Sequence, residues 1–177
     1  NALAALAMAE VYGVSLEEIK EQLKTFKGVQ RRFSYKIKTD NLVLIDDYAH
    51  HPTEIKAVQN SIREMYPNDK ILAIFQPHLF SRTQDFVDDF AEELSKFDEV
   101  VLLDIYPARE LPIQGVDSAW LLEKMPLKKK QLSTKENLIN NIKESSAKVI
   151  AILGAGDIGM MVEEVKKELL IHNNLVS

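Results

Sequence analysis

Two carboxylates, a phenol and two imidazoles fall together in Asp46-Asp47-Tyr48-Ala49-His50-His51, followed by Pro52-Thr53-Glu54. A turn needs only residues such as Gly, Asn or Ser, so this density of ionisable groups points to ligand binding or proton transfer. Adjacent histidines would point to opposite sides of a strand. No third protein ligand stands at zinc-site spacing, so no metal site is assigned. A second polar segment, Gln76-Pro77-His78-Leu79-Phe80-Ser81-Arg82-Thr83, sets His78 and Arg82 four residues apart, where a helix start presents them together. Ser81 and Thr83 read as N-caps of that helix. Asp46 reads either as a cap of its turn or as a group assisting nearby.

The elements that must position these groups follow from hydropathy. Ala2 to Tyr12 is in helical stride and stops at Gly13; Ser15-Leu16-Glu17-Glu18 is a capping box opening a second helix to about Lys24. From Phe33 to Lys38 the pattern alternates with period two, and Asp40-Asn41 turns it into the apolar run Leu42–Ile45, which predicts a hairpin. Helices are then expected near 53–65, 81–96, 118–124, 135–144 and 158–170, with strands near 71–75, 100–103 and 148–153. Alternating strands and helices imply an α/β fold: a Rossmann-like, mostly parallel sheet with one antiparallel edge strand, preceded by two helices. The polar segments then meet at the carboxyl edge of the sheet, where open α/β sheets bind ligands.

The net charge of −5 and the lack of a basic stripe argue against nucleic acid. Lys128-Lys129-Lys130, the one basic run, reads as a solvated loop. With no cysteine there is neither a disulfide framework nor a thiolate metal site, which suits a reducing cytoplasm. No stretch approaches the roughly 20 apolar residues of a spanning helix, and no export leader is visible. A chain that starts at Asn1 already in helical stride reads as part of something longer.

Gly154-Ala155-Gly156-Asp157-Ile158-Gly159 fits G-x-G-x-x-G after a strand and before a helix. Read alone it is a dinucleotide site. That site begins a first βαβ unit and needs an acidic residue on a following strand, whereas here a helix and a polar tail remain. The alternatives are a tight turn with close backbone approach and an edge that lines a pocket through its amides and Asp157.

Taken in order, Gly28-Val29-Gln30-Arg31-Arg32-Phe33, Asp46–Glu54, Phe75–Thr83, Ile105-Tyr106-Pro107-Ala108-Arg109-Glu110 before Pro112-Ile113, and Gly154–Ile158 resemble the Mur ligases, ATP-dependent amide-forming enzymes of peptidoglycan precursor synthesis. The set is most similar to members joining L-alanine to UDP-N-acetylmuramate. The member that reattaches a recycled murein peptide shares the Asp46–Pro52 pattern but not Gln76–Thr83. The resemblance implies three domains, of which this chain holds the C-terminal Rossmann-like one over residues 29–177 and the last helices of the central ATPase domain over residues 1–28. The G-x-x-G-K-[ST] phosphate loop, the catalytic lysine and most magnesium ligands belong to the central domain. The resemblance therefore implies ATP and Mg2+ in the full-length enzyme, none tightly bound by this fragment, which is expected to be inactive alone. It also implies UDP-N-acetylmuramate and L-alanine as substrates and a cytoplasmic location, without nucleic-acid or membrane partners.

By the same resemblance Arg32 reaches ATP phosphate, Asp47 accepts from ribose hydroxyls and Asn1 contacts adenine. His50, His78 and Arg82 hold the amino acid, and His50 and His51 are candidates near the reacting centre. Tyr48, Gly154, Ala155, Gly156 and Asp157 line the cleft. Arg31 is read as the solvated neighbour of Arg32. Leu79 departs from the basic residue many family members carry there, which thins the cationic cluster. The rival readings are the murein peptide ligase, a dinucleotide-binding module using Gly154–Gly159, and a hydrolase built on Asp46–His51.

Overall fold

The computed structural model describes residues 2–26 and 28–174. The chain divides into two compact units, Asn1–Gln30 and Arg31–Ser177. Asn1, expected at adenine, lies outside the described residues.

In the first unit α1 (Ala2–Val11) ends before Gly13, whose φ of 83° only glycine adopts at little cost. α2 (Leu16–Thr25) opens with the expected capping box: Ser15 Oγ accepts from the Glu18 amide at 3.2 Å, and the Glu18 carboxylate accepts from the Ser15 amide at 3.1 Å. Leu6, Ile19, Leu23 and Phe26 line an open apolar groove between these helices.

The second unit is one six-stranded sheet in the order β1-β2-β6-β3-β4-β5. β1 (Ser34–Lys38) and β2 (Val43–Asp47) form the hairpin; every other neighbour is parallel, namely β3 (Ile71–Phe75), β4 (Glu99–Leu102), β5 (Lys130–Leu132) and β6 (Val149–Leu153). β2, β3 and β6 are buried along their whole length, as apolar strands covered on both faces must be. α3 (Pro52–Met65), α5 (Val87–Leu94) and α6 (Ser118–Lys124) pack on one face, and α7 (Leu138–Glu144) and α8 (Val162–His172) on the other. The chain thus leaves β2 and β3 toward one face and β6, which lies between them, toward the other. This divergence opens a crevice at the carboxyl ends of three strands.

Three expectations need correction. The helix read over 81–96 is two, α4 (Phe80–Asp85) and α5, broken at Phe86. Ser81 and Thr83 are not its caps: the N-cap is Leu79, at φ 74°, and no side chain of its own caps the helix. Lys128–Lys130 is not wholly a solvated loop, because Lys130 begins β5 and its ammonium donates to the carbonyls of Leu122 and Met125 at 2.7 and 2.5 Å.

Candidate active site

Asp46 and Asp47 are the last two residues of β2, not turn residues, and are 1% and 6% exposed. Carboxylates stay buried only when their oxygens are satisfied. Asp46 accepts from Arg31 Nε at 3.2 Å, with Lys36 Nζ at 4.0 Å. Lys36 sits at the bulge between Tyr35 and Ile37 in β1. Burial raises the Asp46 carboxyl above its ordinary range, against the pull of Arg31 and Lys36. Asp47 accepts from the amides of Phe33 and Ala49 at 2.6 and 2.8 Å. It thereby pins a turn in which Arg31 and Phe33 both take positive φ, 56° and 45°. Arg32, between them, is exposed.

Arg31 is therefore not the solvated arginine. Besides Asp46, it donates to the Gly154 carbonyl and lies 5.2 Å from the Tyr48 ring centroid. A planar, permanently charged fork can tie a carboxylate, a carbonyl and an aromatic face at once.

The loop after β2 separates the two histidines. His51 caps α3, with Pro52 at the first helical position and the Glu54 carboxylate accepting from the amides of His50 and His51 at 2.9 and 3.2 Å. Its ring packs on Phe86, 4.7 Å between centroids. His50 turns the other way. Its Nδ1 lies 2.9 Å from the Tyr48 carbonyl, which can only accept, so Nδ1 carries the proton. Its ring stands 5.2 Å from Tyr48, half-exposed at this edge, and 5.9 Å from His78.

The loop after β3 brings His78 and Arg82. His78 stacks on Tyr106 of the β4–α6 loop, 5.6 Å apart and 27° from parallel, where the two segments also pair: the Tyr106 amide donates to the Pro77 carbonyl at 2.8 Å and the Leu79 amide to the Tyr106 carbonyl at 2.9 Å. Arg82 Nη1 lies 3.4 Å from both His78 Nδ1 and the His78 carbonyl. Burial, then the charges of Arg82 and His50, hold His78 below the ordinary histidine range. Glu110 supplies the missing cap of α4, accepting from the Ser81 amide at 3.0 Å and from its hydroxyl.

The glycine-rich loop after β6 completes the edge. A Cβ on Gly156 would stand 2.3 Å from Gln76 Oε1 and 2.8 Å from Tyr106; one on Gly159 would meet the Arg31 guanidinium at 2.6 Å. The glycines make room for protein side chains, not for a pyrophosphate, and the segment continues as a 3₁₀ turn, Asp157–Met161. That is the physical case against the dinucleotide reading. Gln76 locks the loop, donating to Asp157 at 2.9 Å and accepting from the Ile158 amide at 3.0 Å; Asp157 also pairs with Lys135. Beyond Tyr106 and Asp157 lies a cavity of about 400 Å³, lined by apolar residues such as Leu103 and Ile105 as well as by Lys135 and Glu136. Among the described residues no group of three or more His, Asp or Glu is placed to hold a metal ion.

The structure thus gathers Tyr48, His50, His78 and Arg82, with Gly154–Asp157 beside them. It leaves His51 outside the cluster and Arg32 exposed at the β1 turn. Sequence reasoning missed Arg31, Gln76, Tyr106 and Glu110 as parts of the site. The glycines at 156 and 159 were the available signal for Gln76, Tyr106 and Arg31, since each marks where another side chain approaches; none of them marks Glu110.

The family described as Mur ligase, glutamate ligase domain, matches residues 31–162. The chain belongs to the Mur ligase family. The UDP-N-acetylmuramate–L-alanine ligase of Christiangramia forsetii is 64% identical over 170 residues, which is 96% of this chain and 38% of that protein. The chain therefore spans well under half the length of this relative. The solved UDP-N-acetylmuramate–alanine ligase of Thermotoga maritima superposes with a TM-score of 0.70 at 28% identity, covering 99% of this chain and 37% of that one. A murein peptide ligase from Psychrobacter arcticus superposes over 99% of this chain and 36% of its own, with a TM-score of 0.66 at 22% identity, a likeness of fold. In this Mur ligase domain the matched span begins at Arg31, the residue that ties β2, β6 and Tyr48 together.

Proposed function

We propose that this chain is the C-terminal part of an ATP-dependent ligase that joins L-alanine to UDP-N-acetylmuramate through an acyl phosphate, in the cytoplasm, as a step toward peptidoglycan. The observation that carries this reading is the juxtaposition of His50, His78 and Arg82 at the carboxyl edge of the sheet, in a chain so similar to an L-alanine-adding relative. The first unit, in this reading, is the end of the central ATPase domain. Arg82 receives the amino-acid carboxylate, where charge-assisted bonds contribute about 1.5–3 kcal/mol each. His50 and His78 border the amine, and Tyr48 with Gly154–Asp157 walls the cleft. Arg32, free at its turn, suits ATP phosphate. Asp47 offers ribose hydroxyls only the lone pairs its two amide bonds leave, so its backbone role accompanies any nucleotide role. Mg2+ would neutralise phosphate charge in the complete enzyme; no ligand for it is assigned here, for want of a donor cluster among the described residues. The domain's work is positioning and charge complementarity.

The test is L-alanine-dependent phosphate release from ATP and UDP-N-acetylmuramate by the complete ligase, with this chain alone inactive. Preference for a murein peptide over L-alanine would transfer the assignment to the peptide-reattaching member. Arg82→Ala should raise KM for L-alanine far more than KM for ATP; an unchanged alanine KM removes Arg82 from the site.

A further inference from the structure

We propose that Nδ1 of His78 takes the proton from the α-ammonium of the incoming amino acid, and that the amino acid's own carboxylate enables this by engaging Arg82. This rests on the amino-acid reading above. An amine attacks through its lone pair, so an α-ammonium must lose a proton before an amide can form. A guanidinium has no acceptor, so the 3.4 Å approach of Arg82 Nη1 to His78 Nδ1 places the imidazole lone pair on Nδ1 and the neutral ring's proton on Nε2. The two side chains thus offer a cationic donor and a neutral acceptor side by side. An α-amino acid carries the complementary pair, carboxylate and ammonium on one carbon, and can engage both at once.

The neighbours set the proton affinity of this ring. Burial comes first, then Arg82 on α4 and His50 from the β2–α3 loop, all disfavouring the imidazolium; Glu110 from the β4–α6 loop opposes them. Glu54 stands behind His50, its carboxylate 3.3 Å from Nδ1, and Tyr106 covers one face of His78. His78 is therefore held as an unprotonated acceptor near neutral pH. A carboxylate on Arg82 neutralises the stronger of the two opposing charges. The ring's proton affinity then rises as the ammonium arrives. In the step itself one N–H bond breaks to Nδ1 and the freed lone pair forms the C–N bond at the acyl-phosphate carbon. The carbon–oxygen bond to phosphate breaks, phosphate leaves with that electron pair and the second amine proton, and the imidazolium later returns its proton to water.

Imidazole NMR of this chain tests the coupling, with His172 at the end of α8 as internal reference. The His78 midpoint should rise in Arg82→Gln, and rise on saturation with L-alanine but not with methylammonium, which lacks a carboxylate. L-Alanine that perturbs the Arg82 resonance yet leaves the His78 midpoint unmoved overturns the inference while sparing the amino-acid reading. L-Alanine that perturbs nothing in the cleft overturns that reading, and the inference with it. In the complete ligase His78→Gln should lower kcat by about 10²-fold or more at neutral pH. The deficit should shrink as pH rises and the substrate amine deprotonates by itself; a deficit independent of pH confines His78 to binding and refutes its role as proton acceptor.

Discussion

Replacing Arg31 with methionine should loosen the whole carboxyl edge of the sheet. Arg31 holds Asp46 at the end of β2, the Gly154 carbonyl after β6 and the face of Tyr48. Methionine retains much of the apolar stem, but it leaves Asp46, 1% exposed, with Lys36 at 4.0 Å as its remaining cation. Removing one partner of a buried pair costs about 3–5 kcal/mol. Arg31 keeps 22% side-chain exposure and Lys36 stays, so the lower end, about 3 kcal/mol, is expected. For a unit of this size each kcal/mol moves Tm by about 2–4 °C, so the midpoint should fall by roughly 6–12 °C. The loss depends on pH. Burial already raises the Asp46 carboxyl, and a raised folded pKa contributes stability below the unfolded value that is lost as pH rises through the folded one. Without Arg31 that carboxyl rises further. The variant's deficit is therefore largest near neutral pH and shrinks in mild acid, where Asp46 protonates. Asp46→Asn in the same background should restore most of the loss. Calorimetry at neutral and mildly acidic pH measures both effects; an equal deficit at the two pH values, or no recovery with asparagine, would refute the buried-pair account.

Gly156→Ala forces a methyl to within 2.3 Å of Gln76 Oε1 and 2.8 Å of Tyr106, so Gln76 must release Ile158 or Asp157. Urea unfolding should reveal a loss of about 1–3 kcal/mol, and a fully stable variant would mean that the loop is open enough to yield. Glu110→Ala removes the substitute cap of α4. If the chain is part of an L-alanine-adding ligase as proposed, this substitution in the complete ligase should raise KM for L-alanine about tenfold, short of the 10²-fold that a misplacement of 1 Å can cost, with KM for ATP unchanged and partial recovery in Glu110→Gln. Equal rises in both constants would count against a local positioning role.

The buried strands were legible because nothing but burial explains runs such as Ile71–Phe75 and Val149–Leu153, and these settle the sheet. Charged residues misled wherever their partners are distant in sequence. Asp46 and Asp47 read as turn residues because carboxylates rarely end a buried strand, and their partners, Arg31 and the Phe33 amide, lie 15 and 14 residues away. Arg31 and Arg32 are indistinguishable by type; only the positive φ at Arg31 and Phe33 turns one inward and the other out. Lys130 read as solvent-facing because no local pattern announces the two helix-end carbonyls, of Leu122 and Met125, that its ammonium reaches. His50 and His51 were separable only by the cap, since a histidine N-cap is outside the usual Ser, Thr, Asp and Asn set.

The strand order gives the site its logic. Because β6 lies between β2 and β3, the glycine loop enters between the loops carrying His50 and His78. Gln76 and Arg31 then close over it. Each imidazole is fastened: His50 by the Tyr48 carbonyl and Glu54, His78 by Tyr106 and the paired backbone beneath it. Arg82 is the exception, because among the described residues the hydrogen bonds of its guanidinium are at 3.4 Å and go to one residue. Bonds that long are weak, so an incoming carboxylate displaces little when it takes the guanidinium. On the proposed reading, with His78 as proton acceptor and Arg82 as anion receptor, the rigid ring and the loosely held guanidinium set the site to respond to a carboxylate first and an amine second.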